Sequence, residues 1–257
     1  MKTATLLLGI SLMAGNLASA QTLSSRIGDT KDGLVRFTYA ARPGVCGDGG
    51  NSIRTGDNNY IRNGNSEGNC PCEYGPVRVT LTLSQGTVTR MRVGVGSHWR
   101  DSTTRATELG QVSVNEASTY LLSLARTSRN QAGSDAVFAV TLADSTTPWP
   151  ELIRLARSPD VRNDTRKQSV FWLGQAAGDV ATKDLADLAE DDGQDREVRE
   201  SAVFALSQLD SERGVPALIR IARSNRDPKL RRTALFWLGQ SNDPRALDLF
   251  EDILANN

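Results

Sequence analysis

The chain has 257 residues, with thirty basic and thirty acidic side chains and a single histidine. A balanced charge argues against an electrostatically driven nucleic-acid binder, which carries a basic excess. One histidine leaves little from which to build a catalytic triad or a histidine-rich metal site, and the length suits one elongated domain or two small ones.

Residues 1–20 read as a targeting segment. Lys2 supplies a positive start, Thr5–Leu12 an apolar stretch, and Ala18-Ser19-Ala20 a small-residue cleavage site. The expectation is an exported protein, periplasmic or secreted, whose mature chain begins at Gln21. No cysteine follows the site, so no lipid anchor is expected there. No later run approaches the ~18 consecutive apolar residues of a membrane-spanning helix.

Residues 21–110 read as a small β-rich unit. Leu34–Tyr39 alternates, with Val35, Phe37 and Tyr39 on one side. Val77–Leu83 does the same, and after Ser84-Gln85-Gly86 so does Thr87–Val95, a hairpin pattern. The expectation is a small antiparallel sheet. Pro43–Asn69, dense in glycine and asparagine, reads as a long loop. The three cysteines are Cys46, Cys70 and Cys72. In an oxidising compartment one bridge forms and one thiol remains. Cys46 with Cys70 or with Cys72 would close the loop, and Cys70-Pro71-Cys72 would bridge itself only with strain.

Residues 111–257 read as helical pairs. Ser113 and Glu116 make a capping box for a helix running to Thr127, with Gly133–Ala143 as its partner. From there a phrase returns: VFAVTL from Val137, VFWLGQ from Val170, VFALSQ from Val203 and LFWLGQ from Leu235. Phe138, Phe171, Phe204 and Phe236 follow one another at intervals of 33, 33 and 32 residues, the mark of a stacked repeat array. Each phrase belongs to the second, or B, helix of a pair. Glu151–Ser158, the segment around Leu185–Ala189, and Ala217–Ser224 are first, or A, helices, and Arg245–Leu254 closes the array. Asp195 and Asp227 suit N-caps, and Gly174 and Gly239 suit chain reversal at B-helix ends.

Glu197–Leu209 followed by Arg213–Arg223, and Lys229–Gln240 followed by Asn242–Leu254, resemble short HEAT-like repeats of the type found in phycobilin-lyase-related proteins. The shared features are a VR or LR opening, small residues within the helix, an A-L-G-like ending and an apolar A helix. The resemblance covers about Val114–Leu254. It implies a mainly α fold, an α-α superhelix or HEAT-like solenoid preceded by the small antiparallel β unit. It also implies protein binding along the B-helix face. The chain departs from the pattern at Ser207, Trp172 and Trp237.

Positions four apart share a helix face. Lys167, Phe171 and Gln175 therefore form a stripe, as do Glu200, Phe204 and Gln208, and Arg232, Phe236 and Gln240. These nine residues are the candidate partner-binding surface; a row of exposed aromatics would anchor a partner. The competing reading places the phenylalanines in the gaps between repeats. Arg199 and Arg231, each four residues after an Asp, read as part of an ion-pair ladder holding the stack.

No catalytic residue, cofactor or metal is expected. His98 beside Trp99, with Asp101 and Ser102 nearby, reads as a structural or surface histidine. Asp48, Asn51, Asp57 and Asn58 are oxygen ligands suited to calcium, but their spacing fits no EF-hand. Zinc would need Cys70 and Cys72 with Cys46 and His98. The leading reading is a non-enzymatic exported interaction module or scaffold with a protein partner. The alternative is a thiol-redox or bilin-lyase-like cofactor-handling protein.

Overall fold

The computed structural model of the chain describes residues 21–48, 52–55, 60–62, 72–99, 105–176 and 178–255. The targeting segment, Asn51, Asp57, Asn58, Cys70, Asp101 and Ser102 lie outside the described residues.

A short helix α1 (Leu23–Gly28) opens the molecule, capped by Thr22, whose hydroxyl accepts from the Ser25 amide. The strands follow as β1 (Gly33–Tyr39), β2 (Val45–Gly47), β3 (Ser52–Thr55), β4 (Tyr60–Arg62), β5 (Val77–Ser84), β6 (Thr87–Val95) and β7 (Thr107–Gln111). The three alternating runs of the sequence are β1, β5 and β6. They pair antiparallel, Val35 opposite Leu81 and Leu81 opposite Met91. The β5–β6 hairpin closes on Gln85 and Gly86, both at positive φ (52° and 73°), the geometry whose twist matches the flanking strands.

The sheet differs from the expected all-antiparallel one. Its order is β6-β5-β1-β7, and β7 runs parallel to β1. TELGQ has no apolar alternation, because it sits at the sheet edge with its side chains largely exposed, so hydropathy leaves no trace of it. The register slips between Arg36 and Thr38, opposite Gly110 at φ 72°, as in a glycine-bearing bulge. The expected long loop is also partly ordered as strand. β2, β3 and β4 form a separate antiparallel meander, with Ile53 buried.

Nine helices complete the described chain: α2 (Val114–Thr127), α3 (Ala132–Thr141), α4 (Trp149–Arg157), α5 (Asn163–Ala176), α6 (Gly178–Glu190), α7 (Arg196–Ser207), α8 (Ser211–Ser224), α9 (Pro228–Gly239) and α10 (Pro244–Ala255). The capping box starts α2: the Glu116 amide donates to Ser113 Oγ at 3.2 Å, and the Ser113 amide donates to Glu116 at 3.2 Å. The helices fall into two layers. B helices α3, α5, α7 and α9 pack in succession, and A helices α2, α4, α6, α8 and α10 form the second row. Each helix buries its apolar stripe between the layers, as Leu152, Leu185, Leu218 and Leu249 do from the A side.

The sheet and the helices share one hydrophobic core. Phe37 meets Tyr120 of α2 edge to face at 6.2 Å, and the Tyr39 hydroxyl donates to the Ala139 carbonyl of α3 at 2.6 Å. Asn130 reaches the Val88 carbonyl at 2.9 Å, and Arg42 donates to Thr141 at 2.9 Å. The β unit therefore covers the open side of the first helix pair.

Two sequence expectations about helix ends change. Gly174 lies inside α5 and Gly239 ends α9, and neither adopts positive φ. Gly174 is a point of contact between repeats: a Cβ there would stand 2.8 Å from that of Ala205 in α7. Asp195, at the N-cap of α7, makes no side-chain cap bond. Its carboxylate pairs instead with Arg166 of the preceding repeat.

Candidate interaction face

The B helices bring equivalent residues to one face, and their side chains differ in ways that shape it. Ala139, Trp172, Ala205 and Trp237 occupy one repeat position. Trp172 fills the space between α3 and α5, stacked on Phe138 with centroids 5.0 Å apart and edge-on to Phe171 at 5.2 Å. Trp237 does the same between α7 and α9, against Phe204 at 5.1 Å and Phe236 at 5.0 Å. Between α5 and α7 the position is Ala205, and no tryptophan stands between Phe171 and Phe204. The aromatics thus form two clusters rather than one continuous ladder. Each phenylalanine packs one side on a tryptophan, so the gap-filling and exposed readings both hold part of the truth.

A groove of about 380 Å³ crosses α3, α5 and α7 at this place. Phe171 and Phe204 form its apolar wall, and Gln131, Asp164, Lys167 and Gln168 are among its polar lining. Of the nine candidate residues it brings together Lys167, Phe171 and Phe204. Glu200 and Gln175 are half-buried on α7 and α5. Gln208 and Gln240 line a separate depression of about 290 Å³ beside Trp237, between α7, α8 and α9. Arg232 is exposed and Phe236 is 58 % exposed at the far end of the array. Sequence reading missed Gln131, Ser134, Asp164, Gln168 and Ser201. Asp164 aside, these are uncharged polar residues of no distinctive chemistry, and only the 33-residue offset from Ser134 to Lys167 would have drawn attention to α3.

The electrostatics of the face are mild. Lys167 lies 3.8 Å from Asp164, an exposed pair of small energetic weight. Asp135 of α3, half-buried, has its carboxyl pushed up to about 6 by burial, partly offset by a hydrogen bond with Gln131.

Behind the face, arginines tie the repeats together. Arg166, 2 % exposed, donates to the Ala156 carbonyl at the end of α4 (3.0 Å) and to Gln194 (2.8 Å), besides its pair with Asp195. Arg199 repeats this on the Ala189 carbonyl at 3.1 Å and on Asn225 of the α8–α9 turn at 3.4 Å, besides a pair with Asp192 of its own α6–α7 turn at 2.7 Å. Each guanidinium satisfies a carbonyl that a helix end leaves open and bonds into the next inter-helix turn. Arg196–Asp227, Arg220–Glu190 and Arg223–Asp252 add further pairs across repeats. The ladder foreseen in the sequence runs between repeats in these pairs, whereas Arg199 pairs with Asp192 of its own repeat rather than with Asp195.

In the β unit, Cys46 and Cys72 form a disulfide with Cα atoms 5.3 Å apart, beside a bridge joining Gly47 to Glu73. This selects one of the pairings left open by the sequence. His98 is exposed, with Nδ1 2.7 Å from Ser97 Oγ. Among the described residues no three His, Cys, Asp or Glu side chains cluster as metal ligands, and no helix is long and apolar enough to cross a membrane.

Stacked helix pairs, a repeat period near 33 residues and inter-repeat arginines define a helical repeat protein with a solenoid-like arrangement. A family model described as HEAT repeats matches residues 192–257, the segment that holds α7 to α10. HEAT repeats generally mediate protein–protein contacts. No curated protein matches the sequence significantly.

Proposed function

We propose that this protein is a non-enzymatic interaction module or scaffold, exported to a periplasmic or extracellular compartment, that binds a protein partner along its B-helix face. The observation that carries the reading is the groove between Phe171 and Phe204, where an apolar wall is ringed by uncharged polar groups and the Lys167–Asp164 pair. Such a depression takes an apolar side chain from a partner and holds its backbone through amide and hydroxyl groups. The Cys46–Cys72 bridge supports export, since disulfides persist in oxidising compartments. The Ala18-Ser19-Ala20 site supports it too. The superhelical path of a HEAT-like solenoid would present the B helices along one side, which agrees with the groove lying across three of them.

The test is affinity capture from envelope extract with native chain and a Lys167→Glu, Phe204→Ser variant as baits, after circular dichroism has shown that the variant is folded. Proteins retained by the native bait alone support the reading. An identical set on both baits removes the groove from consideration.

A further inference from the structure

We propose that the depression beside Trp237 is a binding site for a single neutral sugar ring, distinct from the groove at Phe171 and Phe204. It holds about 290 Å³, close to the lower end of small-molecule sites. Its walls are the C-terminal ends of α7 and α9 and the first half of α8. It exists because the chain leaves its repeat pattern here. At the α5–α7 junction Gly174 receives Ala205, and the two helix ends close on each other. One repeat later the same two places hold Ser207 and Trp237. An indole cannot enter as a methyl does, so α9 packs on α7 less closely than α7 on α5, and a space remains. The α3–α5 junction also carries a tryptophan, Trp172, but that ring is 3 % exposed. Trp237 is half-buried and reaches the open space.

The lining selects the charge of the ligand. None of the eleven residues around the depression is charged, although 23 % of the chain is. A charged ligand would lose hydration there and find no counter-charge. The floor is apolar, since Leu206, Val215 and Leu218 are buried, and the Trp237 indole forms one wall. Serine hydroxyls and glutamine amides supply the polar part. A neutral ligand with one apolar face and several polar groups is therefore the match.

The polar groups narrow it further. Hydroxyls and amides both donate and accept. Ser207 and Ser241 donate to the Phe204 and Leu238 carbonyls, each at 2.7 Å, which leaves their oxygens as acceptors. The Gln208 amide donates to Ser207 Oγ at 3.1 Å, and its carbonyl stays available. The Gln240 amide and the Ser211 hydroxyl bond to no other described residue. Gln208 and Gln240 hold one repeat position on neighbouring helices, so amides stand on two sides of the space. A sugar ring fits both halves of this site: its C–H face packs on an indole, and each of its hydroxyls donates and accepts in turn. A peptide presents its polar groups in a line and needs a slot open at both ends, whereas three helices bound this one.

Heteronuclear NMR of the full chain tests this, with glucose, galactose and N-acetylglucosamine as probes. The Trp237 indole N–H signal, identified by its loss in Trp237→Phe, should move and saturate with at least one of them below about 20 mM, a weak but specific affinity. Gln240→Met keeps the length of the side chain and removes its amide, and should weaken that sugar about tenfold, as the loss of its hydrogen bonds requires. Gln240 is exposed, so the variant should fold, which circular dichroism verifies. Lys167→Glu, in the groove, should leave sugar binding unchanged, so the two sites are tested separately. The methyl glycoside of the bound sugar separates two sources: retained binding assigns the site to the terminal unit of a glycan, lost binding to a free sugar, and both keep the proposal. An indole signal unmoved by all three sugars overturns it. So does an equal shift with N-acetylalanine methylamide, which would make this a peptide site, or a sugar affinity indifferent to Gln240→Met.

Discussion

Gly174 and Gly239 hold the same place in their repeats and meet opposite surroundings. At Gly174 an added methyl would press on Ala205, whose Cβ stands 2.8 Å away and whose Cα stands 3.1 Å away on a helix backbone. Gly174→Ala should therefore destabilise the protein by about 1–3 kcal/mol, the usual consequence of overpacking. At Gly239 only Phe250 lies within reach, so Gly239→Ala should gain up to about 0.5–1 kcal/mol from reduced backbone freedom. Urea denaturation in dilute solution measures both. Equal effects of the two substitutions would show that Gly174 is not a packing contact. Their identity in the sequence hides this difference, because an A-L-G phrase says nothing about which neighbour lies above it. The same holds for Asp195, which reads as a cap but serves the buried Arg166.

Among the helices, α3 carries the side chain with the clearest pH signature. The Asp135 carboxyl is pushed up to about 6 because burial disfavours its charge. The folded protein thus keeps a proton that the unfolded chain releases near pH 4, the ordinary aspartate value of about 3.9. Its contribution is fully present below the unfolded value, and stability falls as the pH rises from about 4 through about 6. Asp210, Asp227 and Asp243 act in the opposite sense at lower pH. Their carboxyls are held below the usual range, by Arg213, the Lys229 amide and Arg245 respectively. Asp135→Asn should remove the decline between pH 4 and 6, read from urea midpoints across that range. A decline that survives in the variant would assign it to another group. The elements themselves were largely legible: the Ser113 capping box, the 33-residue phrase and the β5–β6 hairpin each rest on local chemistry. Strand β7 was not, since an exposed edge strand needs no apolar pattern.

For the molecule as a whole, the shared core of sheet and helices makes the β unit part of the array rather than an appendage. Its Cys46–Cys72 bridge spans a sequence separation of 26 residues. Closing a loop of that size in the unfolded chain stabilises the fold by about 3–4 kcal/mol in the chain-entropy account. Cys46→Ser should lower the urea midpoint accordingly, and reductant should do the same to the native chain but nothing further to the variant. A midpoint indifferent to reductant would mean that the bridge does not form in solution.

By itself the sequence determined what local chemistry determines. The helical period, the caps and the turn residues act within a few positions of one another, and the repeat spacing sets which helices stack. It therefore disclosed the HEAT-like pairs and the alternating strands. Tertiary structure decided what depends on residues far apart in the chain. It chose Cys72 as the partner of Cys46 and laid β7 beside β1. It also divided the repeated phenylalanines between packing and surface. Phe171, Phe204 and Phe236 stand in the same phrase, yet a groove opens beside the first two because the neighbouring repeat position is Ala205. Phe236 lies open because no described B helix packs on α9 as α7 packs on α5. Exposure belongs to the neighbours of a side chain, and a repeated phrase names the side chain alone.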